Sequence, residues 1–310
     1  FLHDICGNHD TYSDDGASYY LSNSLIGTEF DQWHETWVHA FDHGDYAFIG
    51  LNTADTTGSS PLFDDPGLSV DELGFLEDSL VEYADADLAF VFTHHPEHEM
   101  TRGGDEFLGL LEQHRVSVWG YGHTHETSSV LRGQTLQLNV ASAGKSNDGN
   151  LGLIAVDHDG VAARATTLGE WPQVLVTAPV DARLGGDNPH AYPVSANHHA
   201  NPVRAYVFDV SSPNAVAFAV DGGSDQPMVE VAPSVWQGEW DASAIPAGPH
   251  AVVVHATTPS GTDRHAIPVE TAVTQRADGP DHDGHGFVDH PADGAGHRPS
   301  DAAAARRVPD

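Results

Sequence analysis

The chain has 310 residues, 39% of them hydrophobic, which is enough for two ordinary domains with their own cores and too apolar for a disordered polymer. Its formal net charge is −34, with 46 Asp and Glu against 12 Lys and Arg and with Lys145 as the only lysine, so nucleic-acid binding through a basic patch is excluded. At about 1 M salt the Debye length shrinks to roughly 3 Å and the repulsion among such carboxylates is screened, so the charge predicts a halophilic protein from a salt-rich setting.

In chain order, the single cysteine, Cys6, excludes an intrachain disulfide and reads as a buried strand position. Gly7-Asn8-His9-Asp10 follows, an amide oxygen, an imidazole and a carboxylate behind a glycine that allows a tight turn. Ser69 and Glu72 have the spacing of a capping box, and Leu73, Leu76, Leu80 and Tyr83 then share one helical face, which predicts a helix over 70–84. The apolar run 88–92 predicts a buried strand that delivers His94-His95-Pro96 at its end. A short helix over 106–113 and a strand over 116–119 lead to Gly122-His123-Thr124-His125. Histidines at successive strand ends predict α/β organisation with a site on one rim of the sheet.

From Trp171 the pattern changes to short alternating segments at 174–177, 203–210, 215–220, 235–240, 250–256 and 266–269, spaced by Pro, Gly, Asp and Ser, as in a β-sandwich. Beyond residue 272 the sequence is Asp, Gly, His, Pro and Ala with almost no large apolar residues, which predicts a disordered acidic tail whose histidines are solvated. The expected domains are therefore 1–169, 170–272 and the tail 273–310.

The three segments G-N-H-D, H-H-P and G-H-T-H resemble, in order and spacing, the third, fourth and fifth motifs of the calcineurin-like metallophosphoesterases, which include purple acid phosphatases and cyclic-nucleotide phosphodiesterases. Residues 41–53 and 150–156 are similar to two strands of that family. The resemblance implies an αββα sandwich lacking its first strands, since the family's D-x-H and G-D-x-x-D motifs belong upstream and only six residues precede Gly7. It implies two divalent metal ions, Mn first and Fe or Zn next, with Asn8, His94 and His123 on one and His125 on the other. It also implies His9 as general acid or electrostatic stabiliser of the phosphoryl group, steadied by Asp10.

By the same resemblance the activity is hydrolysis of phosphate mono- or diesters by a hydroxide held on two metals, the substrate being a small phosphate ester or a phosphorylated molecule. This chain alone is expected to hold at most one metal and to be inactive. His94 and His95 are neighbours on an extended segment and are expected to point opposite ways; the resemblance assigns the ligand to His94 and a structural role to His95. Segments 11–40 and 97–105 are expected to be loops over the metals, the first carrying Tyr12, Tyr19, Tyr20, Trp33 and Trp37. The stretch 236–250 resembles immunoglobulin-like modules, so the sandwich is expected to be an accessory domain. The alternative function is a noncatalytic binding protein built on a degenerate phosphoesterase domain. No transmembrane run is visible, and neither compartment nor oligomeric state can be read from the residues.

Overall fold

The computed structural model describes residues 3–11, 16–24, 35–41, 44–54, 65–144, 149–157, 160–184, 194–195 and 198–272. The expected tail at 273–310 lies outside the described residues, as do Tyr12 and Trp33. The chain divides between Gly152 and Leu153 into two units, whereas the composition shift placed the division after Gly169.

The first unit begins with a turn at Asn8–Asp10 and a helix α1 (Gly16–Asn23). Then come strands β1 (Glu35–Phe41) and β2 (Gly44–Gly50), helix α2 (Val70–Glu82), β3 (Leu88–Phe92), helix α3 (Gly104–Gln113) and β4 (Val118–Tyr121). The hairpin β5 (Ser128–Arg132) and β6 (Thr135–Asn139) ends the sheet. These strands form one six-stranded sheet in the order β1-β2-β3-β4-β6-β5. The four central strands are parallel and both edge strands antiparallel. Parallel neighbours turn their carboxyl ends to one rim, so the residues after β3 and after β4 emerge side by side.

Helix α2 starts where the capping box predicts: the Ser69 hydroxyl accepts the Glu72 N–H and the Glu72 carboxylate accepts the Ser69 N–H. Its Leu76 and Leu80, with Phe107 and Leu111 of α3, pack with Ile49, Val91 and Trp119, one residue from each of β2, β3 and β4 in a single register row. Each such buried side chain contributes roughly 1.5–3 kcal/mol relative to exposure. The neighbouring row points to the other face of the sheet, where Phe48 and Phe90 stack at 4.8 Å. The segment 11–40 is not simply a loop, because it contains α1 and β1. Tyr20 of α1 is buried with Cys6 and Ala54, while Tyr19 is exposed. Cys6 is buried as expected but lies in no strand, and burial, then Asp10 and Asp4, push its thiol pKa up, which leaves it inert.

The second unit holds β8 (Gly160–Thr167), β9 (Gln173–Ala178), β10 (Val194–Ser195), β11 (Asn201–Phe208), β12 (Ala215–Val220), β13 (Gln226–Pro227), β14 (Val229–Ala232), β15 (Val235–Trp240), β16 (Gly248–Thr258) and β17 (Gly261–Ala272). The strand β7 (Asn150–Asp157) pairs with β8. Two sheets, β14-β15-β11-β9 and β10-β17-β16-β12-β13, share one core. Val174, Val176, Val203, Ala205 and Val207 of the first meet Val216, Phe218, Val252, Val254, Ile267 and Val269 of the second. A buried ion pair lies within this unit: Arg204 donates to both Asp157 oxygens at 2.8 and 2.9 Å, and the Thr177 hydroxyl donates to the same carboxylate at 2.6 Å. The described residues are thus rich in strand, with α-helices only in the first unit and a single 3-10 turn, Ala182–Leu184, in the second. Among them no helix is long and apolar enough to cross a membrane.

Candidate metal centre

The segments after β3 and β4 are tied to each other before any side chain is considered. The Thr93 N–H donates to the Gly120 carbonyl at 3.0 Å and the Gly122 N–H to the His94 carbonyl at 3.1 Å, which carries the parallel ladder past the strand ends. Trp119 adds an indole N–H to the Thr93 hydroxyl at 2.9 Å. His123 and His125 then hold left-handed backbone conformations, with φ of 65° and 58°, a strained state for non-glycine residues that is typical of functional turns. Thr124 fixes this turn: its hydroxyl accepts the Asn139 amide N–H at 2.6 Å and the Glu126 N–H at 3.2 Å.

Gly7-Asn8-His9-Asp10 forms the expected tight turn. The Gly7 N–H donates to the Asp10 carboxylate at 2.8 Å, and the Asp10 N–H to the Gly7 carbonyl at 3.0 Å. Gly7 is needed for close approach rather than for its backbone angles, because a Cβ there would stand 3.1 Å from the His94 ring. That contact lays the turn against the histidine and carries Asn8 to it.

Three atoms meet at this point. The Asn8 Oδ1 is 3.0 Å and the His123 Nδ1 3.2 Å from the His94 Nε2. Two donors about 2.0–2.2 Å from one ion, at right or tetrahedral angles, stand about 2.8–3.6 Å apart. The spacing and the mixture of one hard amide oxygen with imidazole nitrogens therefore fit a divalent ion such as Mn, Fe or Zn. Burial first, then the charges that His95, His123, His9 and His125 would carry, hold His94 down at about 3. It is a neutral imidazole near pH 7, the form that can ligate.

His95 departs from the expectation of opposite directions. The chain bends after β3, so both rings approach His123, with centroids at 5.1 Å for His94 and 4.4 Å for His95, and the three form one group whose ligating atoms lie within 4.8 Å. His95 is fully buried and anchored on Thr53, whose hydroxyl lies 3.0 Å from its Nδ1 and accepts its backbone N–H at 3.1 Å. Burial and His123 lower its pKa to about 3, against the opposite pull of Thr53.

His9 and His125 are exposed and stand within electrostatic reach of His94. The Asp10 carboxylate accepts the Gly7 N–H at 2.8 Å. Segment 97–105 holds a short turn at Glu97–Glu99 and the first residues of α3, and His98 is exposed. Two residues of this rim carried no expectation. Thr53 is one. Glu99 is the other, its carboxylate 3.0 Å from the His123 Nε2; the only hint was an acid shortly after H-H-P.

No family model matches the chain. It is 22% identical over 276 residues to Transmembrane protein 62 of Mus musculus, a match that covers 85% of this chain and 41% of that protein, so the chain spans about two fifths of its relative's length. Among solved structures it is similar to the endo-beta-1,4-mannanase of Thermotoga petrophila, with a TM-score of 0.26 and 12% identity over 64% of this chain and 50% of the other. It is also similar to GAP50, the anchor in the inner membrane complex of Plasmodium, with a TM-score of 0.28 and 13% identity over 51% of this chain and 56% of the other. At these scores neither structure defines the fold or the chemistry of this chain.

Proposed function

We propose that this chain carries part of the centre of a metal-dependent phosphoesterase that hydrolyses phosphate mono- or diesters. The observation that supports the reading most is the convergence of Asn8 Oδ1, His94 Nε2 and His123 Nδ1, atoms drawn from the three motifs that resemble the calcineurin-like metallophosphoesterases. In this reading the first unit is that family's αββα layout and the second an immunoglobulin-like accessory module.

Asn8, His94 and His123 would hold one divalent ion, Mn for preference, and His125 would serve a second. Bound ions would polarise the phosphoryl group and supply an activated water. His9, exposed beside Asn8, would place its imidazole at the leaving group and give it a proton. Asp10 closes the turn onto the Gly7 N–H and so keeps Asn8 and His9 at the rim. His95, buried on Thr53, would support the other two imidazoles.

Two assays with Mn²⁺ in molar salt test this. The 310-residue chain is expected to bind at most one ion and to leave p-nitrophenyl phosphate and bis(p-nitrophenyl) phosphate intact. The same chain preceded in frame by D-x-H and G-D-x-x-D segments is expected to hydrolyse at least one of them, with His9→Ala lowering turnover at unchanged metal content. No turnover by the extended chain would overturn the proposal.

A further inference from the structure

We propose that Glu99 is a positioning residue whose carboxylate accepts the Nε2–H of His123 and so selects the tautomer that turns the Nδ1 lone pair toward Asn8 and His94. The inference rests on the metal-centre reading above and adds to it a residue that none of the three motifs contains.

The distances carry the argument. His123 Nε2 lies 3.0 Å from Glu99 Oε2, and its other nitrogen, Nδ1, lies 3.2 Å from His94 Nε2. A carboxylate only accepts, and a neutral imidazole has one N–H and one lone pair, so a bond from Nε2 to Glu99 leaves the lone pair on Nδ1. The backbone of His123 is already set in its left-handed turn. What remains to be chosen is the ring's flip and its tautomer, and a hydrogen bond to the far nitrogen chooses both. Partners of this kind orient metal-ligating histidines and raise their basicity.

Glu99 is itself held in place. Pro96 opens a short turn in which the Glu99 N–H donates to the Pro96 carbonyl at 3.1 Å and the Met100 N–H to the Glu97 carbonyl at 3.0 Å. Arg132, at the end of β5, donates to the Glu97 carboxylate at 2.8 Å. The turn that follows the His94-His95 pair is thus pinned to the edge strand and presents its last acid to His123. His98, which also faces Glu99, is farther away at 3.8 Å and largely exposed, so it does not displace His123 from the carboxylate.

The test compares Glu99→Ala and Glu99→Gln with the unsubstituted chain, using the ¹⁵N shifts of the His123 ring in the metal-free protein and titration with Mn²⁺ alone. The unsubstituted chain is expected to show the Nε2–H tautomer. Glu99→Ala is expected to give a mixture of tautomers and a roughly 10–100-fold weaker Mn²⁺ affinity, with the unfolding transition unchanged. Glu99→Gln, whose amide oxygen still accepts, is expected to keep the tautomer and recover most of the affinity. An unaltered tautomer in Glu99→Ala, with Mn²⁺ binding that still depends on His94, overturns the role of Glu99 alone. Binding that ignores His94→Ala overturns the metal-centre reading instead, while a tautomer shift would still support the hold of Glu99 on His123.

Discussion

In the second unit both ring nitrogens of His250 face acceptors, the Asp221 carboxylate at 2.7 Å and the Pro246 carbonyl at 3.0 Å, and these bonds raise its pKa. His265 there accepts the Val176 N–H at Nδ1, at 3.0 Å. These histidines are absorbed in holding backbone. In the first unit His94 Nε2 faces an amide oxygen and another imidazole nitrogen, with no carboxylate or backbone group among the partners of that nitrogen in the described residues. The residue type is the same in both; what the nitrogens face separates structure from candidate chemistry.

Cutting the structural side of this contrast should have the largest effect. Arg204→Met leaves the buried Asp157 carboxylate without its guanidinium and is expected to destabilise the second unit by roughly 3–5 kcal/mol. Denaturant unfolding measures that loss, and Mn²⁺ affinity should not change with it. A parallel fall in affinity would break the distinction between the two units.

Next in size is the pH response of His265. Burial first, then Arg164, hold it down at about 4, against the opposite pull of Asp181 and Asp263. The folded state therefore binds this proton less readily than the unfolded chain, whose histidines titrate near 6.5. Its contribution is complete above pH ~6.5 and is lost as the pH falls toward 4, by roughly 2–3 kcal/mol once the partial exposure of the ring is allowed for. His265→Gln should flatten this part of the stability profile in urea unfolding at pH 4 to 7; an unchanged slope would refute the assignment.

A smaller effect is expected from Gly7→Ala. The backbone at Gly7 is extended and suits alanine, so only the 3.1 Å approach of the new Cβ to the His94 ring matters. Overpacking of this kind costs about 1–3 kcal/mol and should appear as a roughly tenfold weaker Mn²⁺ affinity in calorimetry. Unchanged affinity would mean that the turn does not set the position of His94.

Much of this was legible in the residues. The capping box at Ser69 and the apolar run 88–92 announced α2 and β3 because local hydrogen bonding and burial both act over a few residues. The alternation in 215–220 and 235–240 likewise marked strands at their observed bounds. The hairpin β5–β6 was hidden because Gln137 and Asn139 are polar yet buried, a consequence of pairing partners and not of local pattern. β1 and α1 lie in the segment read as loop. Of the site, the motifs pointed to Asn8, His94 and His123. The roles of Thr53 and Glu99 depend on where the rim brings distant segments, and the joint approach of His94 and His95 to His123 depends on a bend that periodicity does not show.

The central claim is that His94 and His123 serve a shared metal ion while His250 and His265 of the second unit serve the backbone. The most direct test is Mn²⁺ titration of the 310-residue chain in molar salt beside His94→Ala, His123→Ala and His250→Gln. The account predicts at most one ion per chain, lost in the first two variants by more than the roughly 10–100-fold typical of an outer partner and retained in the third. Binding that survives both first-unit substitutions, or falls equally in all three, would contradict it.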